Sequence, residues 1–233
     1  AHSFPTRRSS DLVPHKSVLI FQKVPHKNVI YFTISLIFSI FAAKKQYMER
    51  FIMQDLIAWK NREDRKPLIL LGARQVGKTY ILKEFGQREF ENVAYINCDN
   101  NAMAKDLFAS DYNIDRILLT IGAITGVNIE AGKTLIIMDE IQELHRGLAS
   151  LKYFCENARE YHVAVAGSLL GLALHQGESY PVGKVNTLEM YPMTFEEFLW
   201  ARGFKQRMDL LQHGMWDVVK SLRTLYIQHL REY

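Results

Sequence analysis

The residues of this sequence that speak most directly of chemistry are Gly72-Ala-Arg-Gln-Val-Gly-Lys-Thr79. A glycine, four intervening residues and then Gly-Lys-Thr is the spacing of a loop that wraps phosphate. Gly72 and Gly77 permit backbone angles and a close approach that a Cβ would block. The loop's N–H groups and the N-terminus of a following helix can then converge on an anion. Lys78 supplies a point charge for β- and γ-phosphates, and the Thr79 hydroxyl is placed to ligate Mg²⁺. Ala73, Arg74, Gln75, Val76 and Tyr80 complete the expected nucleotide contacts. Arg74 is either a phosphate or neighbouring-subunit contact or a solvated loop arginine.

A second group, Asp139-Glu140, follows the apolar run Leu135-Ile-Ile-Met138. Asp139 can hold Mg²⁺ through its water shell beside Thr79, and Glu140 can take the proton of an attacking water as general base. The same acids would also suit the start of a helix, where they favour the macrodipole. Ser168, after Ala166-Gly167, offers a hydroxyl for the attacking water or the γ-phosphate, or an N-cap for the residues that follow. Lys184, in Pro181-Val-Gly-Lys184, is either a charge acting in trans on the γ-phosphate or a surface lysine at a turn. His145, His162, His175 and His213 show no ligand spacing. Cys98 and Cys155 are expected as core thiols, and Trp59 and Tyr191 as core rather than base-stacking residues.

The elements that must position these groups alternate in period. Leu68–Leu71, Val93–Asn97, Thr134–Asp139, Val163–Ala166 and Val185–Met190 read as strands. Helices are expected over Met48–Lys60, Lys78–Gly86 with Gly86 as a stop, Ala102–Ser110, Ile114–Ile124, Gly147–Glu160, Phe195–Arg202 and Met208–Arg231. Such alternation predicts an α/β fold, a parallel sheet with helices on both faces. Ligands bind such sheets at the carboxyl ends of the strands, where Gly72–Thr79, Asp139-Glu140 and Gly167-Ser168 all fall.

Charge separates the first 47 of the 233 residues from the rest. Arg7, Arg8, Lys16, Lys23, Lys27, Lys44 and Lys45 stand there against Asp11 alone, so 22 of the 29 basic and 24 of the 25 acidic residues lie downstream. The body is therefore slightly acidic although the whole chain carries a net +4, and it gives no electrostatic signal for nucleic acid. His2–Leu12 reads as a translated sequencing adapter, and Val13-Pro-His-Lys-Ser-Val18 recurs as Val24-Pro-His-Lys-Asn-Val29. The apolar run Val29–Ala43 is shorter than the ~20 residues a membrane-spanning helix needs, and an uncleaved signal anchor is the alternative to translated upstream sequence. Residues 1–47 are thus expected to be an artefact or upstream translated sequence, with Met48 as the true start. Two cysteines form neither a disulfide framework nor a metal spacing, which points to a reducing cytoplasm.

Taken together, GARQVGKT, LIIMDEIQEL, SLKYFCENAREYHVAVAGSLLG and SYPVGKVNTLEMYPMTFEEFL resemble the prokaryotic AAA-type P-loop ATPases that carry a C-terminal domain of unknown function. The resemblance covers about residues 48–233. It implies ATP binding and Mg²⁺-dependent hydrolysis, with Lys78 and Thr79 in Walker A and Asp139 and Glu140 in Walker B. Ser168 falls where the family's sensor strand ends, and Lys184 matches a basic position suited to a finger. It further implies a core over 48–203, a helical extension over 204–233 that begins a truncated C-terminal region, and partners in ATP and in a second copy or another protein met through the absent domain. The alternatives are a nucleotide-gated switch with negligible turnover, a small-molecule kinase, for which no acceptor pocket or arginine-bearing lid is evident, and a nucleic-acid motor.

Overall fold

The computed structural model describes residues 50–99, 101–108, 111–167 and 181–233. In chain order, β1 is Leu68–Leu71, β2 Asn92–Asn97, β3 Thr134–Asp139, β4 His162–Ala166 and β5 Asn186–Glu189. They form one parallel sheet in the order β2-β3-β4-β1-β5. The register aligns the carboxyl ends: Leu70 and Asp139 both lie opposite Ala166, Asn97 opposite Asp139, and Leu71 opposite Glu189. The chain therefore leaves every strand along one edge.

β3 and β4 are buried throughout, as unbroken apolar runs require when helices cover both sheet faces. Alternate strand residues serve opposite layers. Leu68, Leu70, Leu135, Ile137, Ala164 and Ala166 pack with Ile52, Leu56 and Trp59 of α1 (Ile52–Lys60) and Ile81, Leu82 and Phe85 of α2 (Lys78–Glu89). Ile69, Ile136, Met138, Val163 and Val165 pack on the other face. Their partners are Ile117 and Ile121 of α4 (Ile114–Thr125) and Leu151 and Phe154 of α5 (Gly147–Asn157). Between these helices lies the single turn α3 (Ala102–Lys105), shorter than expected and capped by the Asn101 side chain.

Gly86 does not stop α2, which runs on to Glu89. Its role is close approach: a Cβ there would lie 2.6 Å from Val93 Cγ2 and 3.2 Å from Leu135 Cδ2. After β5, a capping box of Thr194 and Glu197 starts α6 (Phe195–Ala201). The single helix expected over Met208–Arg231 is instead three: α7 (Lys205–Gln212), α8 (Trp216–Ser221) and α9 (Arg223–Glu232). Gly214, at φ +62°, takes the left-handed conformation that ends α7. Leu199, Met208 and Tyr226 form a small core for these C-terminal helices. Among the described residues no helix is long and apolar enough to cross a membrane; Val29–Ala43 lies outside them.

Candidate functional site

Gly72–Thr79 leaves β1 at the edge where the strands end. Gly72 sits at φ +148°, and a Cβ on it would stand 2.2 Å from the Met190 carbonyl oxygen, so glycine is required on two counts. Gly77, at φ +96°, is the left-handed residue from which α2 begins. The N-cap residue offers no side-chain hydrogen bond to that helix, whose N-terminus is the end that favours an anion. The loop borders a cavity of about 430 Å³ lined by Arg74, Gln75, Gly77, Lys78, Thr79, Asp139 and Glu140. Expected residues far apart in sequence thus share one space.

Lys78 is buried, and its Nζ donates to the carbonyls of Gly72 and Ala73, both at 2.8 Å. Burial lowers the pKa of its ammonium, while the charges of Glu140 and Asp139 act to raise it. Thr79 Oγ1 donates to Asp139 Oδ2 at 2.5 Å. The Tyr95 hydroxyl approaches the same oxygen at 3.4 Å, and the Glu140 N–H donates to Oδ1 at 3.2 Å. Burial, then Asp139, pushes the Tyr95 phenol up to about 12, so it stays a donor. Burial, reinforced by Asp139 and Glu140, also holds the Cys98 thiol at about 12, far from a reactive thiolate. Glu140 has a left-handed backbone, φ 52°, strained for a residue with a Cβ, and its Oε2 accepts from Gln142 Nε2 at 2.6 Å. Thr79 and Asp139 offer hard oxygen donors side by side, a set that fits Mg²⁺. Among the described residues no group of three or more His, Cys, Asp or Glu could form a metal centre of another kind.

A family model described as an AAA domain matches residues 64–199, more than half of the sequence. The chain belongs to that AAA family. Its fold is the P-loop fold of nucleotide-binding ATPases, and the loop, Asp139 and Glu140 all lie within the matched region. A curated relative, the uncharacterized protein MJ1637 of Methanocaldococcus jannaschii, is 28% identical over 181 residues, 71% of this chain. The chain spans about a third of that relative's length. Among solved structures, the Walker-type ATPase paby2304 of Pyrococcus abyssi is similar at a TM-score of 0.46 and 17% identity, over 80% of this chain and 75% of that one. The RuvB Holliday junction branch migration motor of Thermotoga maritima is similar at 0.43 and 18%, over 72% of this chain and 52% of its own.

Two expected site residues are not seen in this cavity. Lys184 lies just before β5, whose Asn186 pairs with Leu68 at the start of β1, so it stands at the edge of the sheet opposite the phosphate loop. Its Nζ pairs with Glu156 at 2.8 Å, and it takes no part in this chain's own site. Ser168 lies outside the described residues; β4 itself ends at Ala166, between the loop strand and the carboxylate strand. Arg74 and Tyr80 are exposed at the loop. Of the histidines, His162 is buried and His145 and His213 are exposed, while His175 is outside the described residues.

The structure adds a second cavity on the far side of the loop, about 570 Å³, walled by Arg50, Val76, Tyr80, Met190, Pro192 and Met193. Sequence reasoning gave Arg50 and the Met190–Met193 segment no role. The available signal was adjacency: once β5 pairs with β1, whatever follows β5 must flank the loop. Tyr191, expected in the core, is 67% exposed, whereas Trp59, Cys98 and Cys155 are buried as expected.

Proposed function

We propose that this chain binds ATP and hydrolyses its γ-phosphate with Mg²⁺. The observation that carries this reading is the 2.5 Å contact of Thr79 Oγ1 with Asp139 Oδ2, beside buried Lys78 in one cavity. Loop, cation and carboxylates arrive from two strands and meet where a nucleotide triphosphate needs them. The apolar cavity beyond the loop is suited to a purine, with Tyr80, Met190 and Met193 as its walls.

Mg²⁺, held by Thr79 and through water by Asp139, would neutralise charge on the β- and γ-phosphates. Lys78 exchanges its carbonyl partners for phosphate oxygens and balances the charge that develops as the bond from Pγ to the bridging oxygen breaks. The N–H groups at the start of α2 hold the same phosphates. A water attacks Pγ, its proton passes to the Glu140 carboxylate, and ADP leaves with the bonding electrons. Ser168 is assigned a hydrogen bond to that water or to the γ-phosphate, and Arg74 a contact from the loop. A phosphate-release assay under multiple turnover, with and without Mg²⁺, tests the reading: sustained, Mg²⁺-dependent release is expected, and no release together with no nucleotide binding would refute it.

One observation favours a second reading, a nucleotide-gated switch with negligible turnover. The Glu140 carboxylate already accepts from Gln142 at 2.6 Å, and its Oε2 would have to leave or share that partner to take a proton from water. Tight ATP binding without phosphate release would select it.

A further inference from the structure

Arg50 is a buried arginine, 6% exposed, that makes contact with three separate parts of the chain. Nη1 donates to the carbonyl of Val76 in the phosphate loop at 3.1 Å. Nη2 donates to the carbonyl of Tyr191, beyond β5, at 2.8 Å. Nε stands 3.1 Å from Glu197 Oε1 in α6, an ion pair without hydrogen-bond alignment. Glu197 is itself fixed: Oε1 accepts from the Phe51 N–H at 2.7 Å and Oε2 from the Thr194 N–H at 2.9 Å, while its own N–H donates to Thr194 Oγ1 at 3.2 Å.

Val76, Met190, Pro192 and Met193 all line the cavity beyond the loop, and Arg50 lines it with them while bonded to both stretches of chain. We propose that Arg50 is a positioning residue: one guanidinium, anchored by Glu197, holds the phosphate loop and the Met190–Met193 wall at a fixed separation and so sets how firmly a nucleotide is gripped. The inference rests on the nucleotide reading above. Its geometry calls for arginine, because a planar fork can donate to two carbonyls while its charge faces a carboxylate, and a lysine ammonium, a single point charge, cannot span the two carbonyls in the same way. Val76 is two residues before Lys78, so the tether ends beside the group that must turn toward phosphate. A cavity whose walls are fixed in advance loses less ordering entropy when its ligand binds.

The test uses two variants of the full chain. Arg50→Met with Glu197→Gln removes both charges together, so that no buried carboxylate is stranded, and glutamine still serves a capping box. Arg50→Lys keeps the charge and loses the fork. Binding of ATP with Mg²⁺ is measured by calorimetry, and amide hydrogen exchange is measured in nucleotide-free protein. We expect the Kd of both variants to rise about tenfold or more, with faster exchange at residues 74–79 and 190–195 together and unchanged exchange in α4 and α5. A double variant that binds ATP within about twofold of wild type, or exchanges at wild-type rates in both walls, would overturn the proposal. Failure of the wild type itself to bind ATP would instead overturn the nucleotide reading, and the exchange measurement would still decide whether Arg50 ties the two walls.

Discussion

At the scale of single residues, the proposed mechanism separates holding the nucleotide from cleaving it. Lys78 is buried with its ammonium against two loop carbonyls, which in the proposed mechanism it exchanges for phosphate oxygens. Lys78→Ala removes that charge, and we expect ATP binding to be lost in calorimetry while the fold persists by circular dichroism. Unchanged affinity would show that the loop amides suffice. Thr79→Ala removes a proposed Mg²⁺ ligand and should abolish the difference in ATP affinity measured with Mg²⁺ and with EDTA. Most of this was legible in the sequence, because the loop spacing and the Asp-Glu pair each have a local signature. Arg50 and Gln142 had none: each matters through a partner brought near by folding, and nothing within a few residues of Arg50 announces Val76, Tyr191 or Glu197.

At the scale of elements, two close approaches set the loop and the helix that follows it against the sheet. A Cβ on Gly72 would meet the backbone oxygen of Met190 at 2.2 Å, and backbone cannot turn aside as a side chain can. Gly72→Ala should therefore displace the loop from β5 and weaken nucleotide binding, read by the same calorimetry. Gly86→Ala sets helix propensity against packing: alanine favours the helix by about 1 kcal/mol, and a Cβ 2.6 Å from Val93 Cγ2 on a stiff β-branched side chain opposes it. We expect packing to win, with a net loss of about 1–2 kcal/mol in urea unfolding. A gain in stability would mean the helix can lift from the sheet. The strands were readable because β1, β3 and β4 are unbroken apolar runs. The helix ends were not: glycine serves as a stop at Gly214 and as a contact surface at Gly86, and only the packed sheet tells the two apart.

At the scale of the whole molecule, two apolar layers clamp one parallel sheet, and one buried histidine makes its stability depend on pH. His162, between Trp59 and Phe90, has its pKa lowered to about 4, first by burial and then by Arg65. It is neutral in the native state, whereas unfolded histidine protonates near 6.5. The unfolded chain therefore binds more protons between about pH 4 and 6.5, and stability is full above that window and falls as pH drops through it. The contribution is on the order of 3 kcal/mol. His162→Phe should flatten the urea-unfolding free energy across that range; an unchanged slope would remove His162 as its source.

In the proposed mechanism the paired carboxylates at the end of β3 divide metal binding, at Asp139, from water activation, at Glu140. Phosphate release by wild type and by Glu140→Gln, measured alongside ATP affinity in the presence of Mg²⁺, tests it most directly. Wild type should release phosphate over many turnovers. Glu140→Gln should bind ATP with nearly wild-type affinity and release phosphate slower by on the order of a hundredfold. A variant that hydrolyses ATP as fast as wild type would contradict the assignment of Glu140 as the base.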